Sequence, residues 1–424
     1  MKKENSVFKD IDKIITKEFD NLIDLSKEDT KVKQWFDTGV YALNYICSKN
    51  LFGGIPVGRV TSVDGLESTG KSLLLASLMK DPNVDYILII ETEGGGSSKE
   101  LYEFAGVDTS KIRMLKASTF ENYRVNKKNS NIEEVSDNKF PKKKDTDDYI
   151  YVEGVTRIIK KFINIIEFNK VQKNILILLD TLGNLQSVRE MSGTPDMGAK
   201  SKAIATFFRS FDVAFERTNI AFVFANKLYT NIGNQWQPYV VSGGVNVTYN
   251  PSLSIRLTTT AETDDVSDAD MKKEKERRKT ALGSSLKTIK ATIVKSRFGT
   301  EQRSIRFLID FSIGPAKFSG LFGLCRDFGI IDRKGSTYMM DGVFDKAFYK
   351  KDFISMIKQD EKNILLKIQK RLEQRENEIL HKKHEIQSGE ALSEVEDELS
   401  DDETLDEGDY DDMKKQMIRD VEKN

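Results

Sequence analysis

The run Gly65-Leu66-Glu67-Ser68-Thr69-Gly70-Lys71-Ser72 has the spacing G-x-x-x-x-G-K-[ST] in full. Its glycines let a loop wrap tightly, so that backbone N–H groups converge on phosphate oxygens at the N-terminus of the following helix. Gly65, Glu67, Ser68, Thr69 and Gly70 would form that cradle. Lys71 would reach the β and γ phosphates of a nucleotide, and the Ser72 hydroxyl would ligate magnesium. Asp180 ends the apolar run Ile175 to Leu179. A carboxylate at the carboxyl end of a buried strand, beside such a loop, suits a second magnesium contact. Hydrolysis also needs a group that orients and deprotonates water in line with the γ-phosphate. Glu91-Thr92-Glu93, ahead of Gly94-Gly95-Gly96, offers two carboxylates. On a strand, positions 91 and 93 share a face, so spacing leaves both open.

The elements that must position these groups alternate along the chain. Arg59 to Asp64, Tyr86 to Glu91, Ile175 to Asp180, Ile220 to Asn226 and Ser254 to Leu257 read as strands. Ser72 to Met79 and the stripe Ile158, Ile159, Phe162, Ile165 and Ile166 read as helices between them. Strands separated by helices predict an α/β fold with a mostly parallel sheet covered on both faces. Ahead of this core, Val7, Ile11, Ile14, Ile15, Phe19 and Leu22 mark an amphipathic helix that must bury its apolar face on this subunit or a neighbour. Residues 125–148 and 262–281 are charged, nearly apolar-free stretches that read as exposed insertions. Farther on, Leu365, Leu372, Ile379 and Ile386 recur every seven residues in a long charged helix, a stripe that packs on its own chain or forms a coiled-coil seam.

Composition removes whole classes of chemistry. Cys47 and Cys325 are the only cysteines, too few for a disulfide framework or a structural zinc site, and they suit a reducing, cytoplasm-like compartment. His381 and His384 are the only histidines and lie in the charged helix, so histidine-based serine or cysteine hydrolysis is ruled out. No stretch approaches the ~20 apolar residues needed to cross a bilayer. The net charge of -1 hides a division: 12 acidic residues and no basic ones lie between Glu394 and Asp412, leaving the rest of the chain at +11. A basic body with an acidic tail fits polyanion binding with an internal competitor, and it also fits plain solubility.

Taken in order, these blocks resemble a family. Thr38-Gly39, the run Gly53-Gly54-Ile55-Pro56-Val57-Gly58-Arg59-Val60, GLESTGKS, LIIETEGG, the AGVD turn at Ala105 to Asp108, ILILLDTLGNL, DMGAKSKAI, FVFANK, Ser242-Gly243-Gly244 and IVKSRFG are similar to the RecA recombinases over roughly residues 35 to 330. DTLGNL, the KSR tripeptide and the acidic C-terminus look most like the UvsX-type recombinases of T-even-like phages. The resemblance implies a RecA-like P-loop NTPase core at 35–334, a subunit-docking helix at 1–34, a helical C-terminal region at 335–392 and a disordered acidic tail at 393–424. It implies a DNA-dependent ATPase that uses ATP and Mg2+ and forms a helical filament on single-stranded DNA, then exchanges strands with duplex DNA. Partners would include a recombination mediator and a single-strand-binding protein, in the cytoplasm of a phage-infected bacterium.

Residue by residue, the resemblance selects Glu93 over Glu91 as the water-activating base. It also assigns Lys295 and Arg297 as cations that reach the neighbouring subunit's ATP. DNA contacts would come from two loops, about Val188 to Met197 and Leu228 to Ser242. Arg189 is a phosphate contact in the first, with Lys202 and Arg209 as further candidates. Ile232 and Trp236 are stacking groups in the second, and Gly243 and Gly244 give the backbone freedom after it. Two departures stand out. Lys227 occupies the position where RecA has a glutamine that senses the γ-phosphate, and the glycine run after Glu93 is one residue longer, so no adenine contact is assigned to Tyr102. A ring-forming helicase of the DnaB type is built on the same core and also has a lysine-x-arginine pair before glycine. The long second loop, Trp236 and the missing N-terminal partner domain favour the recombinase.

Overall fold

The computed structural model describes residues 31–93, 99–116, 123–126, 131–134, 151–191, 198–230, 239–260, 286–299 and 301–388. The expected N-terminal helix, Ile232 and Trp236, residues 192–197, the insertion 262–281, most of the insertion 125–148 and the acidic tail lie outside them. The described residues form two compact units, one ending at Gly320 and one beginning at Leu321.

In the first unit β1 (Trp35–Phe36) pairs antiparallel with β2 (Ile55–Pro56) around the helix Tyr41–Ser48. A central sheet follows, built from β3 (Val60–Gly65), β4 (Tyr86–Glu91) and β5 (Ile112–Leu115). A separate ribbon, β6 (Tyr123–Asn126) with β7 (Asn131–Glu134), runs into the stretch 125–148 read as an exposed insertion. The sheet continues with β8 (Ile175–Asp180), β9 (Ile220–Thr230), β10 (Tyr239–Val241), β11 (Leu253–Thr260), β12 (Leu286–Ser296), β13 (Ser304–Asp310) and β14 (Gly314–Pro315). Its strand order is β14-β13-β12-β11-β3-β9-β8-β4-β5, with β10 paired to β9. From β11 to β5 every neighbour is parallel, and β12 to β14 extend the edge antiparallel. The fold is α/β with a large, mostly parallel sheet.

Among the parallel strands, β4, β8 and the first part of β9 are nearly continuous apolar runs because they are covered on both faces. In β8, Ile175 to Leu179 are all buried, and in β9 Ile220 to Asn226 are. The helix Val152–Phe168 buries Val155, Ile159, Ile163 and Ile166, spaced three and four apart, against the sheet. Beside it the helix Ala199–Arg217 inserts Phe207, Phe208, Phe211 and Phe215. Phe215 stacks on Phe222 of β9 with ring centroids 5.4 Å apart and planes 8° from parallel. Each such side chain contributes ~1.5–3 kcal/mol by leaving water. This apolar slab fixes the carboxyl ends of β3, β4, β8 and β9, where the chemistry-bearing residues sit. Among the described residues no helix is long and apolar enough to cross a membrane.

The second unit contains the helices Leu321–Asp327, Phe353–Gln359 and Glu361–Ser388. It also contains a hairpin, β15 (Asp332–Lys334) with β16 (Thr337–Met339), so the region is not purely helical. The hairpin's strands are only three residues long, which hid them from periodicity. Phe322, Tyr338, Phe344, Phe348 and Phe353 form its aromatic core. On the long helix Leu365, Ile368 and Leu372 are buried, so the front of the seven-residue stripe packs on its own chain.

Candidate active site

Local sequence builds the phosphate-type loop directly off β3. Gly70 caps the helix Lys71–Leu78 at φ 83°, a left-handed conformation, and a Cβ there would lie 2.5 Å from Ile309 Cδ1. Only glycine holds that left-handed conformation without strain and without displacing the Ile309 side chain. Thr69 is buried and its hydroxyl donates to the Leu66 carbonyl at 2.9 Å, which closes the loop, while Glu67 and Ser68 are exposed on its outside. Lys71 folds inward, donating from Nζ to the carbonyls of Gly65 (3.0 Å) and Leu66 (2.8 Å). Burial pushes its pKa down, while Asp180 and Glu93 push it up; the Lys227 charge lowers it further and Glu67 opposes.

Asp180 lies across from this helix at the end of β8, separated from β3 by β9. The Ser72 hydroxyl donates to Asp180 Oδ2 at 2.6 Å. The second oxygen, Oδ1, is buried with no hydrogen-bond partner among the described residues. Burial raises the Asp180 pKa, the Ser72 hydrogen bond lowers it, Glu93 raises it and Lys71 lowers it. An acceptor oxygen buried without a donor, next to an exposed hydroxyl, is the arrangement a hard divalent cation would complete. No group of three or more His, Cys, Asp or Glu among the described residues could hold a metal. An ion at Ser72 and Asp180 would therefore take waters or ligand oxygens as its further ligands.

The ends of β4 and β8 are stitched together. Glu91 and Asp180 are register partners, and the Thr92 N–H donates to the Asp180 carbonyl at 2.9 Å. Thr92 Oγ1 donates to the Thr181 carbonyl and accepts the Thr181 N–H, both at 2.8 Å. The Asp180–Thr181 peptide is cis. These threonines were not singled out in the sequence; a short hydroxyl side chain following each strand-end carboxylate is the signal that could have found them. The stitch separates the two glutamates that spacing could not. Glu91 is 3% exposed within the sheet. Glu93 stands clear of it, accepting from Thr181 Oγ1 at 3.3 Å and pairing with Lys227 Nζ at 3.1 Å.

Lys227 is the register partner of Gly65 on β9. Its N–H donates to Asn226 Oδ1 at 2.9 Å, its carbonyl accepts from Ser242 N at 3.0 Å, and Asn226 Nδ2 donates to the Ser242 carbonyl at 2.9 Å. Ser242 leads into Gly243 (φ 96°) and Gly244 (φ 81°). A Cβ at Gly244 would sit 2.8 Å from Ser201 Oγ, and one at Gly243 2.8 Å from Val247 Cγ2. The base of the segment carrying Ile232 and Trp236 is thus tied to Lys227. Arg189 is exposed on the helix Val188–Met191, which follows β8. Lys202 and Arg209 are exposed on the helix Ala199–Arg217, where Arg209 Nε donates to its own helix at Ala205 O.

Lys295 and Arg297 are not brought to this cluster. Lys295 pairs in register with Ser254, which in turn pairs with Ser62, three residues back along β3 from Gly65. Three residues along a strand and two strands across put Lys295 about 10 Å along and about 10 Å sideways from the loop. There Lys295 Nζ donates to the Tyr249 carbonyl, and Asp212 feels the charges of Arg297, Lys295 and Arg59. One buried carboxylate went unread in the sequence. Asp64, next to the loop, is 4% exposed, accepts only from Ser62 Oγ (3.2 Å) and is pushed up to about 7 by burial. No protein-family model matches the chain, and no curated protein matches it.

Proposed function

We propose that this chain is an ATP-hydrolysing recombinase of the RecA type that forms a filament on single-stranded DNA and pairs it with homologous duplex. The mostly parallel sheet with helices around it supports a RecA-like core, and the sequence blocks supply the family. The observation that carries the reading is the Ser72–Asp180 pair at 2.6 Å with Asp180 Oδ1 buried and unpartnered beside Lys71.

On this reading Lys71 exchanges the carbonyls of Gly65 and Leu66 for the β and γ phosphates of ATP, and the loop N–H groups close on the phosphate oxygens. Ser72 and Asp180 would hold magnesium, which when bound would offset the negative charge that develops in transfer. Glu93 accepts a proton from the water that attacks the γ-phosphorus. The bond from phosphorus to the bridging oxygen breaks, and ADP and phosphate leave. Lys295 and Arg297 lie too far from their own loop to assist, which supports a role on a neighbouring subunit's ATP. A cation supplied in that way contributes roughly 10³–10⁵ in rate. Both DNA segments, near Arg189 and between Lys227 and Gly244, leave the same carboxyl edge as the nucleotide site. Ile232 and Trp236 would stack on bases, and the grip would weaken with salt.

Negative-stain electron microscopy with single-stranded DNA, magnesium and a non-hydrolysable ATP analogue tests the reading. Continuous helical filaments are expected. Closed rings threaded on DNA would instead assign a helicase of the DnaB type, with the same nucleotide site.

A further inference from the structure

The ion pair between Lys227 and Glu93 sets a cation at the phosphate loop against the carboxylate proposed to activate water. Resting on the nucleotide-binding reading above, we propose that Lys227 is a latch on Glu93, which the γ-phosphate of a bound nucleoside triphosphate releases by competing for the lysine. The side chains remain 32% and 44% exposed, so the pair is reachable by a ligand and weak enough to exchange.

Three features make the exchange a side-chain event. The Lys227 backbone is fixed: it lies in parallel register with Gly65, its N–H is held by Asn226 Oδ1, and its carbonyl is held by Ser242 N. Its Nζ can therefore only swing between partners within one side-chain length. The register places it beside Gly65, the first residue of the loop whose Lys71 is read as reaching the γ-phosphate. Glu93, meanwhile, keeps a second contact when the lysine leaves, because Thr181 Oγ1 donates to the same Oε1. The carboxylate then stays aimed at the site with its charge no longer offset. A diphosphate lacks the competing group and leaves the latch closed, so the same pair separates the triphosphate state from the diphosphate state. The carbonyl of Lys227 is bonded to Ser242, ahead of Gly243 and Gly244, so the latch residue sits at the root of the ribbon β9–β10.

A double-mutant cycle on the full chain tests this. Wild type, Glu93→Gln, Lys227→Met and the double variant are titrated with a fluorescent non-hydrolysable ATP analogue and with fluorescent ADP, both with magnesium. Both side chains are partly exposed, so the variants keep the fold, and thermal melting checks it. Glu93→Gln removes the competitor for Lys227, and the triphosphate should bind about two- to fivefold tighter with ADP unchanged. Lys227→Met should weaken the triphosphate alone, and Glu93→Gln should gain nothing in that background. Equal tightening by Glu93→Gln with and without Lys227 would mean simple loss of repulsion and overturn the latch. So would tightening of ADP to the same extent, or no tightening at all. Failure of the wild type to bind either nucleotide would overturn the nucleotide reading, and the latch with it.

Discussion

Ser72 Oγ and Asp180 Oδ2 lie 2.6 Å apart although 108 residues separate them in sequence. The contact joins the first turn of the loop's helix to the end of a strand that is not even its neighbour in the sheet. Removing the Asp180 charge should abolish the magnesium dependence of nucleotide binding while leaving the loop intact. Asp180→Asn is expected to bind an ATP analogue equally with magnesium or with a chelator. ATP turnover should fall at least about 100-fold. Retention of a magnesium effect in titration calorimetry would remove Asp180 from the metal.

The two glutamates at the end of β4 should separate experimentally as they do structurally. Glu93→Gln should lower turnover by about 10²–10⁴ with nucleotide binding retained, as loss of a general base does. Glu91→Gln should act on folding, because Glu91 is 3% exposed within the sheet. Its melting temperature should drop, and turnover per folded molecule should stay within a few-fold of wild type. Single-turnover hydrolysis and thermal melts on both variants decide the matter.

Parts of this were open to reading from the chain, for physical reasons. The runs Tyr86–Glu91, Ile175–Asp180 and Ile220–Asn226 announce buried parallel strands because both faces are covered and their interiors are apolar up to the last residue. The loop announces itself because tight phosphate wrapping admits few residue types. Pairings across the sheet do not announce themselves. Lys227 meets Glu93 only because β9 and β4 end at the same edge, and that register is set by the core far from either charge. The hairpin β15–β16 has only three residues a side, too short for periodicity to register. Asp64 escaped because an aspartate that ends a strand carries no sign in the sequence of how deeply it is buried.

Asp64 carries a pH signature. Its carboxyl, 3.8 when free, is pushed up to about 7 by burial, against the Ser62 hydrogen bond and the charges of Arg256 and Lys71. As pH rises from about 4 to about 7 the unfolded chain releases this proton and the folded chain keeps it, so stability is lost across that window. Above about 7 both states are ionised and the loss is constant. Relative to Asp64→Asn, the wild type should therefore lose up to about 4 kcal/mol between pH 4 and 7. Denaturant melts of the two proteins side by side measure the difference, and a flat difference would mean that Asp64 is ionised in the fold throughout.

Lys295 lies two strands across and three residues back from Gly65, and Arg297 lies farther back toward the start of β3, so their contribution to hydrolysis should come only from a second subunit. A Lys295→Ala/Arg297→Ala chain keeps a complete loop, Asp180 and Glu93, but offers its neighbour no cations. A Glu93→Gln chain offers the cations but cannot turn over its own ATP. Each should be nearly inactive alone on single-stranded DNA. Mixed in equal amounts, they should regain about a quarter of wild-type turnover, because random order places the right pair at about one interface in four when a single cation pair stabilises transferring charge. Recovery should vanish without DNA if the neighbours meet only in a filament. No recovery on DNA, with each variant still able to bind ATP, would show that the cations serve their own chain or take no part in the reaction.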